Sequence, residues 1–135
     1  KNGSRPSTEG RLHTKVMNRF LYGHGITLVM KIGIVISQID PETVWNAFRF
    51  ANFSLGKKHE VRTFLIGKGV ECVEIVNKKF PVIDEINKYV KSEGEIFACG
   101  TCLVSRNKEG SPICPMSTMN DLMNLVEESD KVVSF

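Results

Sequence analysis

Two cysteines separated by two residues are the feature of this sequence that most directly suggests chemistry. Cys99 and Cys102 lie in the segment ACGTCL, residues 98–103, where we expect a strand to end at Cys99 and a helical turn to follow. Backbone N–H groups that are free at the start of such a turn favour a thiolate over a thiol. A thiolate there can attack, or can carry sulfur as a persulfide, and Cys102 can resolve an intermediate by forming a disulfide. The spacing therefore predicts a reactive thiol pair.

Four neighbouring residues complete the candidate site. Gly100 lets a ligand or another backbone segment approach closely, and we expect Gly100 and Thr101 to supply backbone N–H groups. Arg106, about two helical turns after Cys99, adds positive charge if the chain folds back. Cys114 is flanked by prolines that restrict its backbone. It either serves as a third thiol or packs beneath its loop.

The cysteines also admit two other interpretations. A metal site would use Cys99, Cys102 and Cys114, with Cys72 or His59 as the fourth ligand. A single CxxC is weak support for zinc, because such sites usually show a second well-spaced pair. Alternatively the cysteines are small buried hydrophobic residues, which suits Cys72 because its neighbours are apolar.

The elements that must position the pair alternate between strand and helix. The pattern predicts strands at 30–37, 61–66, 95–99 and 131–135, and helices at 42–55, 81–91 and from a cap at Ser117 to 128. Residues 67–69 form a loop, and 70–76 are a short helix or a strand. This alternation predicts an α/β fold with a mainly parallel sheet and helices on both faces. Active sites of such sheets lie beyond the carboxyl ends of the strands, where the Cys99 segment is expected.

Composition excludes several classes of protein. The chain has 135 residues and four cysteines, which predicts one domain in a reducing, cytoplasmic compartment. It contains no apolar run of about 18 residues, so no membrane span is predicted, and no signal peptide is evident. Residues 30–135 are near neutral, which argues against a nucleic-acid partner. Residues 67–69 do not form a phosphate-binding loop, and no cofactor is predicted.

The first 29 residues differ from the rest. Residues 1–29 hold five Lys/Arg against one acid, and residues 1–16 are polar with no hydrophobic period. We predict a disordered tail at 1–16 and, over 1–29, an extension that is disordered, vector-derived or the result of a start assigned too early; the alternative is a native extension that packs somewhere. The α/β domain is predicted at 30–135.

Seven segments of the chain carry a further signal in their order and spacing. They are 30–37, 42–55, 60–66, 69–71, 98–103 with Arg106, 114–122 and 129–132. Taken together, they resemble the DsrE/DsrF-like family over about residues 30–135. The resemblance implies a flavodoxin-like three-layer sandwich that assembles into oligomers. Family members with assigned roles accept sulfur as a cysteine persulfide and pass it to a partner, and their sulfur-carrying cysteine matches Cys99. Cys102 and Cys114 are not part of the simplest relay pattern.

The sequence thus supports two functional hypotheses. The first is a persulfide carrier of intracellular sulfur metabolism, without classical turnover, that meets a sulfur donor and an acceptor protein. The second is an oligomeric module without catalytic activity that binds a small ligand or a metal. An oligomer also agrees with four aromatic residues that spread around more than one face of the first helix; they are Trp45, Phe48, Phe50 and Phe53.

Overall fold

A five-stranded parallel sheet forms the centre of the protein. The computed structural model describes residues 21–22, 25–26 and 28–135. Its strands are β3 (Lys31–Ile36), β4 (Glu60–Leu65), β5 (Glu95–Cys99), β6 (Met116–Ser117) and β7 (Lys131–Ser134). The sheet order is β6-β5-β4-β3-β7, with every pairing parallel, as the alternating sequence pattern predicted.

A separate antiparallel ladder precedes the sheet. It joins β1 (Leu21–Tyr22) to β2 (Gly25–Ile26). The predicted disordered tail at 1–16, and most of the predicted extension at 1–29, lie outside the described residues.

The helices cover the sheet on both faces, which makes the protein a flavodoxin-like three-layer sandwich. On one face of the sheet, Tyr89 in the helix Val82–Lys91 accepts a hydrogen bond from Thr63. On the opposite face, a side chain at Gly33 would collide with Leu125 in the helix Met119–Glu128. The helices are α1 (Pro41–Gly56), α2 (Val82–Lys91), α3 (Gly100–Val104) and α4 (Met119–Glu128), with a 3₁₀ segment at Gly67–Glu74. No helix within the described residues is long and apolar enough to cross a membrane.

Local sequence determines where α1 begins. The Asp40 carboxylate accepts hydrogen bonds from the Thr43 N–H at 2.9 Å and from its hydroxyl at 2.8 Å, and these bonds lower the pKa of Asp40. Pro41 occupies the first turn, where its missing N–H costs nothing. The helix then packs Val44, Ala47 and Phe48 into the core, as its hydrophobic period predicted.

Two boundaries differ from the sequence prediction. The cap of α4 is Thr118, which exchanges hydrogen bonds with Asp121 in a capping box. The predicted cap, Ser117, instead ends the short strand β6, which the sequence pattern did not reveal. Two residues are too few to show a period of two, and β6 exists because the carbonyl of Pro115 accepts the Ala98 N–H at the exposed edge of β5.

The connection after β4 also differs. The predicted loop and ambiguous segment at 67–76 form one 3₁₀ segment over Gly67–Glu74. It buries Val70 and Cys72 and ends where the Ile75 N–H bonds the Cys72 carbonyl. Short 3₁₀ segments have no strong sequence signal, since they often serve as connectors between regular elements.

Most of the aromatic surface predicted for α1 is covered within the chain. Phe48 is fully buried, and its ring packs edge-on against Tyr89. Trp45 packs against Phe80, and the ring of Phe50 lies 6.2 Å from that of Phe135. Of the four aromatic residues, Phe53 is the most exposed, at 66%.

Candidate functional site

The strand β5 carries Cys99 to the carboxyl edge of the sheet. The strand is central because it pairs with β4 on one side and with β6 on the other. Ile96 and Ala98 are buried by the core, and Cys99 is only 3% exposed. The chain turns into α3 at the next residue, as the sequence predicted.

Glycine is required where α3 begins. A Cβ atom at Gly100 would lie 2.8 Å from Cγ of Met116 and 3.2 Å from the carbonyl oxygen of Ser117. The predicted close approach is therefore made by β6. A larger residue would push β6 away from the end of β5 and would displace the part of β6 that lies beside Cys99.

The surroundings of Cys99 favour its protonated form. Burial is the main cause that raises the pKa of the Cys99 thiol, and a hydrogen bond with the Cys102 side chain adds to the increase. The backbone N–H groups of Cys102 and Thr101 oppose this effect. The sequence-based expectation of a thiolate at Cys99 is thus corrected: those N–H groups are present, but desolvation outweighs them.

Cys102 lies in a different environment although it is only one turn away. Its side chain is half-buried, and its sulfur accepts a hydrogen bond from the Gly67 N–H at 3.2 Å. Gly67 has a φ of 57°, a left-handed conformation that glycine adopts without strain. Sequence reasoning missed this contact, although the predicted loop at 67–69 follows β4 toward the same edge of the sheet.

Arg106 contacts a backbone carbonyl and a carboxylate. Its Nη1 donates to the carbonyl of Cys102 at 3.0 Å, and its Nε lies 3.4 Å from a carboxylate oxygen of Glu71. Lys108 extends the same cluster of charges, with its Nζ 2.6 Å from a carboxylate oxygen of Glu74. The guanidinium therefore holds the end of α3 against the 3₁₀ segment and lies against the backbone of Cys102.

The other two cysteines form a second, buried pair. Cys114 sits in a turn in which it exchanges backbone hydrogen bonds of 2.9 and 3.0 Å with Ser111. Burial raises the pKa of Cys114 to about 11. Burial, together with the nearby Cys114, raises the pKa of Cys72 to about 12. All four cysteines are free thiols.

The residues proposed from the sequence as metal ligands are not all brought together. Nδ1 of His59 accepts the Met30 N–H at 3.2 Å, which places His59 at the amino end of the sheet. Cys99 lies at the opposite, carboxyl end. Across the part of the chain that the structure describes, no three His, Cys, Asp or Glu side chains are grouped as metal ligands would be.

Comparison with known proteins agrees with the resemblance that the sequence suggested. A profile of the DsrE/DsrF-like family matches residues 30–135. The chain belongs to the DsrE/DsrF-like family. The matched range includes the whole parallel sheet and both cysteine pairs, so the candidate site lies within the family domain.

Two archaeal relatives are similar over most of their length. An uncharacterised protein of Methanopyrus kandleri is 34% identical over 116 residues, which cover 77% of this chain and 93% of the relative. An uncharacterised protein of Methanocaldococcus jannaschii is 35% identical over 118 residues, which cover 78% of this chain and all of the relative.

A solved structure shares the architecture. It is a conserved protein of unknown function from Bacteroides thetaiotaomicron, with a TM-score of 0.63 and 22% sequence identity. The match covers 78% of this chain and 94% of that protein. At this level of identity, the likeness extends to the fold alone.

Proposed function

We propose that this protein is a cysteine-based carrier of sulfane sulfur, and that Cys99 and Cys102 are the thiols that handle it. The observation that carries the proposal is the position of two interacting thiols at the carboxyl edge of a parallel sheet. This edge is where α/β proteins place their chemistry. Membership of the DsrE/DsrF-like family supports the same function.

The surroundings of the pair suit transfer better than catalysis of a bulky substrate. The Gly67 N–H donates to the sulfur of Cys102, and the backbone N–H groups of Thr101 and Cys102 act to lower the pKa of Cys99. Such donors stabilise negative charge that moves onto sulfur during exchange. We place the donor and the acceptor, both thiol-bearing molecules, in the cytoplasm, where thiols are kept reduced and so are available for exchange.

We also propose that copies of this chain associate through α4. Met119, Met123 and Val126 follow one another at helical spacing and are 56%, 53% and 43% exposed. Val132, which is 44% exposed, lies on the sheet face that α4 covers, because it pairs with Gly33, whose missing side chain would meet α4. Exposed apolar stripes of this kind are typical of interfaces. The apolar stripe on α4, and not the aromatic residues of α1, is therefore the feature that supports association.

The carrier function is tested by sulfur uptake. The wild type and the double variant Cys99→Ser, Cys102→Ser are incubated with glutathione persulfide, and intact masses are recorded before and after dithiothreitol. We expect one added sulfur atom on the wild type, removed by the reductant, and none on the double variant. Val104→Ala, an exposed substitution on α3, is the matched control. Equal uptake by the double variant would refute the proposal.

Association is tested by light scattering during gel filtration. Met123→Lys places a charge in the apolar stripe and should reduce the mass of the particle. Val76→Lys adds the same charge at a position that is 92% exposed and should leave the mass unchanged. A wild type that is monomeric at all concentrations would contradict the proposal.

A further inference from the structure

The two thiols of the candidate site differ in how a reaction partner can reach them. Cys99 is 3% exposed and belongs to the hydrophobic core. Cys102 is half-buried and only packs against that core. Thiol exchange requires the attacking sulfur to approach the donor sulfur directly, so its rate depends on access. In the folded protein, Cys102 is therefore the more accessible of the two residues to a donor.

The position of the Cys102 sulfur is held from a distant part of the chain. The Gly67 N–H donates to it at 3.2 Å across 35 residues of sequence. Gly67 lies two residues after the end of β4, and β4 pairs with β5 in the sheet. The sulfur is thus held between the ends of two adjacent strands, with the Cys99 side chain in hydrogen-bonding contact beside it.

From this arrangement we infer that Cys102 is the thiol that accepts sulfur and that Cys99 is the resolving thiol beneath it. The inference rests on the proposed carrier function and assigns a role to each member of the pair. It reverses the order expected from the sequence, where the family's sulfur-carrying cysteine matches Cys99.

The transfer step balances with a persulfide as the donor. The Cys102 thiolate attacks the outer sulfur of R–S–S⁻, the S–S bond of the donor breaks, and RS⁻ leaves. Cys102 then carries the sulfane sulfur as a persulfide anion. An acceptor thiolate reverses the process by attacking the outer sulfur, and the Cys102 thiolate is the leaving group.

A second step explains why a thiol lies beneath the carrier. Cys99 releases its proton to solvent, and its thiolate attacks the inner sulfur of the Cys102 persulfide. The S–S bond breaks, the departing sulfur takes up a proton from solvent and leaves as hydrosulfide, and a Cys99–Cys102 disulfide forms. The sulfane sulfur gains two electrons, which the two cysteines lose. Because burial raises the pKa of Cys99, its thiolate is scarcer than that of an ordinary thiol, which slows this second step.

Two single variants test the assignment. Cys99→Ser and Cys102→Ser are incubated with glutathione persulfide beside the wild type and Val104→Ala. Intact mass reports uptake, and thermal unfolding reports the fold. We expect Cys99→Ser to take up one sulfur atom and to keep it longer than the wild type, because no thiol resolves it. Cys102→Ser should take up sulfur about tenfold more slowly or not at all.

A measurement on the wild type removes any dependence on how the variants fold. The loaded protein is alkylated and digested, and fragmentation of the peptide that contains both cysteines locates the extra sulfur. We expect it on Cys102. Sulfur on Cys99, or normal loading of Cys102→Ser together with no loading of Cys99→Ser, would overturn the assignment but leave the carrier function intact. A wild type that takes up no sulfur would overturn both.

Discussion

The two cysteine pairs of this protein follow the same edge of the sheet, yet their environments differ sharply. Cys72 and Cys114 lie in the connections after β4 and α3, and both thiols are almost completely buried. Cys102 is half-buried and receives a backbone hydrogen bond at its sulfur. Cys99 contacts Cys102 but is as inaccessible as Cys72 and Cys114, so the contrast lies between Cys102 and the buried pair.

This difference shows that residue type alone does not make a cysteine reactive. A thiol enclosed by apolar atoms keeps its proton, because the thiolate would lose its hydration without gaining partners. Cys72 and Cys114 therefore act as core residues. Cys102 is more accessible than either of them and accepts the Gly67 N–H at its sulfur, so it is available for exchange.

The largest expected effect is on alkylation rates. In the native protein, Cys102 should react with iodoacetamide far faster than Cys72. Burial raises the pKa of Cys72 to about 12, so at neutral pH it forms about a thousandfold less thiolate than an ordinary thiol. Timed quenching followed by peptide mass mapping measures both rates. In denaturant the two rates should converge; similar rates in the native protein would mean that the pairs do not differ in environment.

The buried pair should also make stability depend on alkaline pH. Below about pH 9, the ordinary value for the thiol, Cys72 is protonated in the folded and in the unfolded chain and adds no pH dependence. Above it, the unfolded chain releases the proton first. The free energy of unfolding should then fall by about 1.4 kcal/mol per pH unit until the pH reaches the folded pKa of about 12.

Urea denaturation between about pH 8 and about pH 10.5, which includes the onset of this fall near pH 9, measures the slope. Cys72→Ala removes the group and should reduce the slope by that amount, whereas Val104→Ala should not change it. A slope that is the same for the wild type and for Cys72→Ala would show that this thiol ionises in the folded protein as it does in the unfolded chain.

Substitution at neutral pH should separate the pairs by a smaller margin. Cys72→Ala leaves a void in the core and should reduce the free energy of unfolding by about 1–2 kcal/mol. Cys102→Ala removes a half-buried sulfur and one weak hydrogen bond, and should cost about 0.5 kcal/mol. The urea midpoints give both values, provided that the dependence of the unfolding free energy on urea concentration is the same in each variant. The reverse ranking would mean that Cys102 contributes chiefly to packing.

The smallest effect concerns the ion pair that links the two regions. Glu71 precedes the buried Cys72, and Arg106 follows the helix that carries Cys102; their charged groups lie 3.4 Å apart. Because both side chains remain partly exposed, a double-mutant cycle with Arg106→Gln and Glu71→Gln should give a coupling of about 0.5 kcal/mol or less. High salt should weaken it further. A coupling several times larger would show that the two regions are held together mainly by charge.

Much of the fold could be predicted because its signals are local. Asp40 and Pro41 start α1 through a cap and a fixed φ angle, and the apolar runs of β3 and β5 reflect burial on a parallel sheet. The strand β6 was not predicted, because it exists through its pairing with β5, which is distant in sequence. The 3₁₀ segment at Gly67–Glu74 was predicted only in part, as a loop at 67–69 followed by a short helix or a strand at 70–76, because such segments have no strong sequence signal.

The amino-acid sequence was enough to assign the α/β fold and the DsrE/DsrF-like family, and to place Cys99 at the end of a strand with Cys102 one helical turn later. Tertiary structure decided which thiol is accessible, which backbone donor faces it, and how Arg106 is used. Solvent access and the pKa of a thiol depend on how many atoms surround it. Those atoms come from segments such as Gly67, which lies 35 residues from Cys102, and no local pattern reports them.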